Sequence, residues 1–263
     1  MPTMKRVLPL VLLSCLVATG AMLALASRTS SAATPGLRNA ASFVRPQFDP
    51  PGFGKTLVAQ QLDTLRAQVD LTRYSTIGRR QALSRLSANR AACYAALDDA
   101  DVGYVRVAAT RNATGCGYND ALRLERGLVA YASGDPFVMT CAQAARLHLW
   151  ERQVVAPAAE KHLGSALVEI VAFGAFSCRR IQGVGRLSEH AYGRAADIKA
   201  FRLADGRTIT VLDDFRSKGS EGAFLREIRD RACDVFDVTL SPDHDADHAN
   251  HFHLDVGGEH ICR

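Results

Sequence analysis

Two stretches carry the residue types of a metal site. SEHAYGRAAD, starting at Ser188, sets a histidine and an acid seven positions apart, His190 and Asp197. About fifty residues later the chain offers HANHFHLD, starting at His248. Ligands of one zinc ion lie roughly 2.0–2.2 Å from the metal and so within a few Å of one another. Seven residues of extended strand would part His190 from Asp197 by roughly 23 Å, and seven of helix by about 10 Å. The chain must therefore fold back between them. Gly193, among Ala191, Ala195 and Ala196, is the residue type that permits a tight reversal. In the second stretch His251, His253 and Asp255 alternate with Phe252, Leu254 and Val256, the period of a strand with one polar and one apolar face. Two imidazoles then point the same way from a rigid element. Of the 8 histidines in the chain, five fall between His244 and His260, a density that packing does not explain.

The first stretch fits the pattern S-x-H-x-x-G-x-A-x-D, and the H-x-x-H-x-H of His248, His251 and His253 follows it. Together they resemble the zinc peptidases of the LAS type, which cut peptide bonds in bacterial cell walls. From about Cys93 to Cys262 the chain is similar to the bacterial extensin-like C-terminal domain family, through SCRR, SEHAYGRAADI, FLREIRDRAC, NHFHLD and the terminal cysteine. The resemblance implies an α+β fold of LAS type, with an antiparallel sheet flanked by helices and zinc held at one edge. It also implies three ligands, His190, Asp197 and His253, with the fourth position open as in catalytic zinc sites. Water bound there would have its pKa lowered to about 7.

Many LAS enzymes place a glutamate three residues before the last histidine ligand, and that position here is Asn250. A subset puts a histidine two residues before the ligand, so His251, an imidazole near its ordinary pKa, would serve as base or acid. His248 would orient the substrate or stabilise the oxyanion, and Arg179, with Arg180 second, would face the substrate or else pair with a carboxylate at the surface. Glu189 adjoins a ligand and is expected to point away from the metal. Ser188 reads as a hydrogen-bond prop, because no nucleophile elbow surrounds it. The implied activity is hydrolysis of an amide bond in peptidoglycan stem peptides or crosslinks. The alternative is a non-catalytic, zinc-containing module that binds wall peptides.

Several elements must position these residues. Ala166–Ala172 is rich in β-branched and apolar residues and predicts a central strand ending near Arg179. A hairpin is expected from Ile198–Leu203 through Ala204-Asp205-Gly206-Arg207 to Thr208–Leu212, then a helix from Gly222 to Ala232 and a strand from Val235 to Leu240. Upstream, helical spacing covers Lys55 to about Tyr74, Arg79–Leu97 and roughly Thr140–Leu163, the last capped by Thr140 or Ser133. Trp150, the only tryptophan, reads as a core anchor, with sugar stacking as the rival role. Strands are expected at Val102–Ala109 and Ala121–Leu128. Asp243, Asp245 and Asp247 suggest a calcium loop, but His248 and Leu254 occupy the glycine and glutamate positions of the EF-hand. They read instead as an acidic rim of the zinc site or as a solvated loop.

At 263 residues with 48% hydrophobic and 22% charged content, the chain can bury one sizeable core. Residues 1–33 read as a signal peptide or membrane anchor, because Val7–Ser27 carries no charge and small residues follow. Residues 34–54 form a Pro/Gly-rich linker, 55–90 a helical extension and 91–263 the zinc domain. An exported, periplasmic or cell-envelope location follows. Without Lys5, Arg6 and Arg28, 29 basic residues face 27 acidic ones, a balance that excludes nucleic acid as a partner. Once Cys15 leaves with the signal, six cysteines remain and predict three disulfides. Proximity suggests Cys93 with Cys116, and Cys262 as a staple for the chain end. A catalytic Cys178 would leave another cysteine unpaired. Nine prolines without a repeat exclude a structural wall protein of the extensin type.

Overall fold

The computed structural model describes residues 70–71 and 79–263. The expected leader, the linker and nearly all of the helix from Lys55 to Tyr74 lie outside the described residues. The run from Arg79 to Leu97 is two helices, α1 (Arg79–Ala88) and α2 (Arg90–Asp99). Asn89 parts them: its backbone is extended and its side-chain oxygen accepts the Ala92 N–H at 3.0 Å, the work of an N-cap.

Six short strands follow, β1 (Gly103–Val107), β2 (Thr110–Arg111), β3 (Gly117–Tyr118), β4 (Ala121–Arg126), β5 (Ala130–Ser133) and β6 (Val138–Met139). Thr140 then caps α3 (Cys141–Trp150) through the Gln143 N–H. A π turn, Glu151–Val155, joins α3 to α4 (Ala156–Leu163), ahead of Pro157, whose missing N–H removes one helical bond. The second half contains β7 (Leu167–Gly174), β8 (Ala195–Leu203), β9 (Thr208–Thr210), α5 (Val211–Asp214), α6 (Ser220–Ala232), β10 (Val238–Leu240), β11 (Phe252–Asp255) and β12 (Ile261–Cys262). The predicted hairpin forms, but its second strand stops at Thr210, whose side chain caps α5.

Among the described residues the main sheet runs β1-β4-β5-β7-β8-β11-β10-β12, with β6 beside β4 and β9 beside β8. It is mixed rather than wholly antiparallel, since β5 pairs β7, and β10 pairs β12, in parallel. The end of α3 and the face of α6 converge on Phe201 of β8. Trp150 sits edge-on to Phe201 at 6.1 Å and to Phe236 at 6.3 Å, and Phe224 of α6 closes on Phe201 at 5.4 Å. Trp150 is fully buried and its Nε1–H donates to the Ile228 carbonyl at 2.9 Å, so it anchors the core and offers no face to a sugar.

Three disulfides staple this fold: Cys93–Cys141, Cys116–Cys178 and Cys233–Cys262. The expected Cys93–Cys116 pair does not form, because Cys93 on α2 faces the first residue of α3 while Cys116 lies in the β2–β3 turn. Cys262 does staple the chain end, and Cys178 carries no free thiol. With sequence separations of 48, 62 and 29 residues, each closed loop is worth about 4 kcal/mol on a chain-entropy account.

Candidate metal centre

Asp197 of β8 and His253 of β11 are register partners across an antiparallel pair, so their side chains leave the same face of the sheet. Both strands are interior to the strand order, which places the site mid-sheet rather than at an edge. His190 arrives from a short 3₁₀ turn, Glu189–Tyr192, whose N-cap Ser188 accepts the His190 N–H at 3.4 Å. The chain then reverses at Gly193, where φ is +66° and the N–H returns to the His190 carbonyl at 3.1 Å. A side chain is disfavoured in that left-handed conformation. The fold-back that the His190–Asp197 spacing required is thus one turn and one glycine.

These elements bring His190 Nε2, Asp197 Oδ1 and His253 Nδ1 into a triangle with edges of 3.0, 3.1 and 3.0 Å. All three residues are buried. The far nitrogen of each ring has its own partner: His190 Nδ1 meets the Ala175 carbonyl, and His253 Nε2 meets Asp255 Oδ2 at 2.9 Å. A carbonyl and a carboxylate accept only, so those nitrogens carry the protons, and in neutral rings the other two turn lone pairs inward. Three lone pairs about 3 Å apart repel unless a proton or a cation lies among them. Donors 2.0–2.2 Å from one ion stand at such separations. The outer partners fix tautomer and ring orientation, as those of metal-ligating histidines do. The group fits a divalent cation.

The electrostatics agree. Burial raises the Asp197 carboxyl, but His190 and His253 outweigh it and hold the group well below the usual carboxylate range. Burial lowers His253, but Asp197 and Asp255 more than reverse this and push it up to about 9. The protein alone therefore retains a proton where a cation would sit.

His251 differs from its sequence expectation. Burial, opposed by Asp197, pulls it down to about 4 rather than leaving it near 6.5. It is neutral at pH 7. Its Nδ1–H donates to the Asn250 side-chain oxygen at 2.8 Å, and its Nε2 lies 3.5 Å from Asp197 Oδ1. The ring rests edge-on against half-exposed Phe173 at 5.7 Å.

Arg179 lines the same region, and its Nη2 donates to Asp197 Oδ2 at 3.0 Å. Arg180 donates to the Gly185 carbonyl within its own loop. His248 sits 5.2 Å from the His251 ring and 5.9 Å from His253, centroid to centroid. Glu189 pairs with Arg194 at 2.7 Å. A cavity of about 250 Å³ opens over the group, with Arg179, Arg186, His248, His251, His253 and Glu259 among its walls. Sequence reasoning assigned no role to Asp255 or to the Ala175 carbonyl. Asp255 was readable from the two-residue period it shares with His253. The Ala175 carbonyl had no side-chain signal: a register irregularity between Ala172 and Gly174 precedes it on β7.

Compared with known proteins, the family model described as extensin-like protein C-terminus matches residues 91–263. No curated protein and no solved structure matches.

Proposed function

The chain belongs to the extensin-like C-terminal family, and from that premise we propose that it is an exported zinc-dependent peptidase that hydrolyses an amide bond in peptidoglycan stem peptides or crosslinks. The observation that carries this reading is the convergence of three lone pairs, from His190, Asp197 and His253, beside an open cavity. Two imidazoles and a carboxylate suit zinc, and three protein donors leave a coordination position for water or substrate. When bound, zinc supplies a Lewis acid for the carbonyl and lowers the pKa of water to about 7.

The chain's own groups divide the remaining work. Ala175 and Asp255 hold the ligand rings with their lone pairs inward. His251, kept neutral by burial, offers Nε2 as the proton acceptor, and Asn250 fixes it by accepting a hydrogen bond from Nδ1–H. Asn250 therefore orients a base at the position where many LAS enzymes carry a glutamate. Arg179 and His248 line the cavity and supply donors for a carbonyl oxygen on which charge develops. Three disulfides suit the oxidising compartment that the apolar leader implies.

Purified protein incubated with muropeptides, with and without chelator, tests this by mass. We expect metal-dependent cleavage. His251→Ala should retain the metal and lose about 10²–10⁴-fold in rate, the usual contribution of a general base. Binding without any product would replace the peptidase with a wall-binding module.

A further inference from the structure

We infer that a second divalent cation binds at the rim of the cavity, held by His244, Asp245 and His248. Their candidate donor atoms all lie within 4.8 Å of one another, and the residues are partly open to solvent. Asp245 is the hub. Its Oδ1 lies 2.6 Å from His248 Nδ1, and its Oδ2 lies 3.4 Å from His244 Nε2. The same Oδ1 accepts the His248 N–H at 3.1 Å, capping the turn Ala246–His248. Capping needs one oxygen. It does not account for a second imidazole drawn to the other.

The loop that presents these donors is fastened from below. Arg229 Nη1 donates to the Ser241 hydroxyl and to Asp243 Oδ2, each at 3.1 Å, and Arg216 donates to the Pro242 carbonyl at 2.7 Å. The His244 N–H closes the turn on the Ser241 carbonyl at 2.8 Å, and Ser241 is fully buried. Asp243 is thereby tied to the arginines, so the aspartates do not form a common oxygen cage. A donor set of two imidazoles and one carboxylate selects zinc, cobalt, nickel or copper over calcium and magnesium, which prefer oxygen. His248 and His244 also line the cavity, so an ion there places positive charge at its mouth, beside the wall carrying Asp247 and Glu259. This site is distinct from the group of His190, Asp197 and His253 and stands whether or not the protein hydrolyses peptides.

The test is a count of ions. The purified chain, stripped with chelator, is titrated calorimetrically with Zn²⁺ and separately with Ca²⁺. Two zinc equivalents and no calcium binding are expected. The double variant His244→Ala/Asp245→Ala should lose the second equivalent and keep the first, while Asp197→Ala should lose the first and keep the second. A measurement on the unaltered chain accompanies these: once one equivalent of Co²⁺ is bound, the second should shift the imidazole resonances of His244 and His248. A single zinc equivalent that survives the double variant, a second equivalent that survives it, competition by calcium, or Co²⁺ shifts confined to other histidines would each overturn the inference. Loss of the first equivalent alone would count against the buried centre and leave the rim site standing.

Discussion

Asp255→Asn isolates the contribution of an outer partner to metal affinity. Asp255 is buried and uses both oxygens as acceptors, Oδ2 for His253 Nε2–H at 2.9 Å and Oδ1 for the Gly257 N–H at 2.8 Å. Asparagine is nearly isosteric but supplies one acceptor and one donor. If its amide nitrogen faces His253, the ring must change tautomer, and an Nδ1–H then points into the ligand triangle. If it faces Gly257, two donors collide at a distance where a bond stood. Loss of such a partner typically weakens metal binding 10–100-fold, about 1.4–2.7 kcal/mol.

A pH signature separates this from general damage. His253 is raised to about 9 in the metal-free protein, so below that pH a proton must leave as the ion enters. Wild-type affinity should then rise about tenfold per pH unit up to about pH 9. Removing the Asp255 charge lowers His253 and relieves part of that competition. The gap between variant and wild type should therefore be smallest near pH 6 and widest near pH 9. Zinc competition against a chelator of known affinity, from pH 6 to 9, reads both slopes. A wild-type affinity that is flat with pH, or a variant equal to wild type at pH 9, would refute the reasoning.

Other consequences concern the fold around the centre. In the metal-free protein His253 titrates near 9 against about 6.5 when unfolded, so its stabilisation is complete below pH 6.5 and is lost as pH rises toward 9. The thermal midpoint of the stripped protein should fall between pH 7 and 9, and saturating zinc should abolish that fall. Glu151, fully buried and raised to about 7 chiefly by burial, accepts the Val129 N–H at 2.7 Å and sits 3.3 Å from the Tyr131 hydroxyl. Its carboxylate costs stability as pH climbs from about 4.5 through 7, so Glu151→Gln should match wild type near pH 4.5 and exceed it at pH 8 in urea unfolding. Gly193→Ala forces a side chain into φ +66° and should cost about 1–2 kcal/mol, with weakened zinc binding because the His190 turn shifts.

The grouping of His190, Asp197 and His253 was the most legible part of the sequence, and long-range pairing the least. His190 and Asp197 announced themselves by type, and the glycine between them by the reversal their spacing demands. The alternation of Phe252, His253, Leu254 and Asp255 gave a strand face directly. Nothing local could reveal that β5 lies parallel to β7, or that the strand carrying Asp197 is interior to the sheet, because both depend on contacts distant in sequence. The disulfide guess failed for the same reason: proximity along the chain favoured Cys116 for Cys93, whereas packing of α2 on α3 delivered Cys141. Asn89 was lost inside a helical period because a residue that caps one helix also ends another. Arg179 pairs with the Asp197 carboxylate, and which acid it would meet was set by the third dimension alone.

Whether an ion at the proposed centre would build the domain or merely occupy it follows from where its candidate donors are rooted. Asp197 and His253 stand on paired strands whose opposite face is apolar: Ala196, Ile198, Phe252 and Leu254 are each 0% exposed. Burying such side chains is worth about 1.5–3 kcal/mol apiece for the larger ones, before the disulfides are considered. The strand pairing therefore does not need the metal, unlike zinc fingers, where binding energy is folding energy. Chelation should leave a cooperatively unfolding protein with unchanged far-ultraviolet circular dichroism. Zinc at a hundredfold excess over its dissociation constant should add about 2.7 kcal/mol by mass action, a rise in Tm of roughly 5–10 °C. A stripped protein that has lost its sheet signal would mean that the three donors are held apart by repulsion strong enough to open β8 from β11, and that the centre is structural in the first instance.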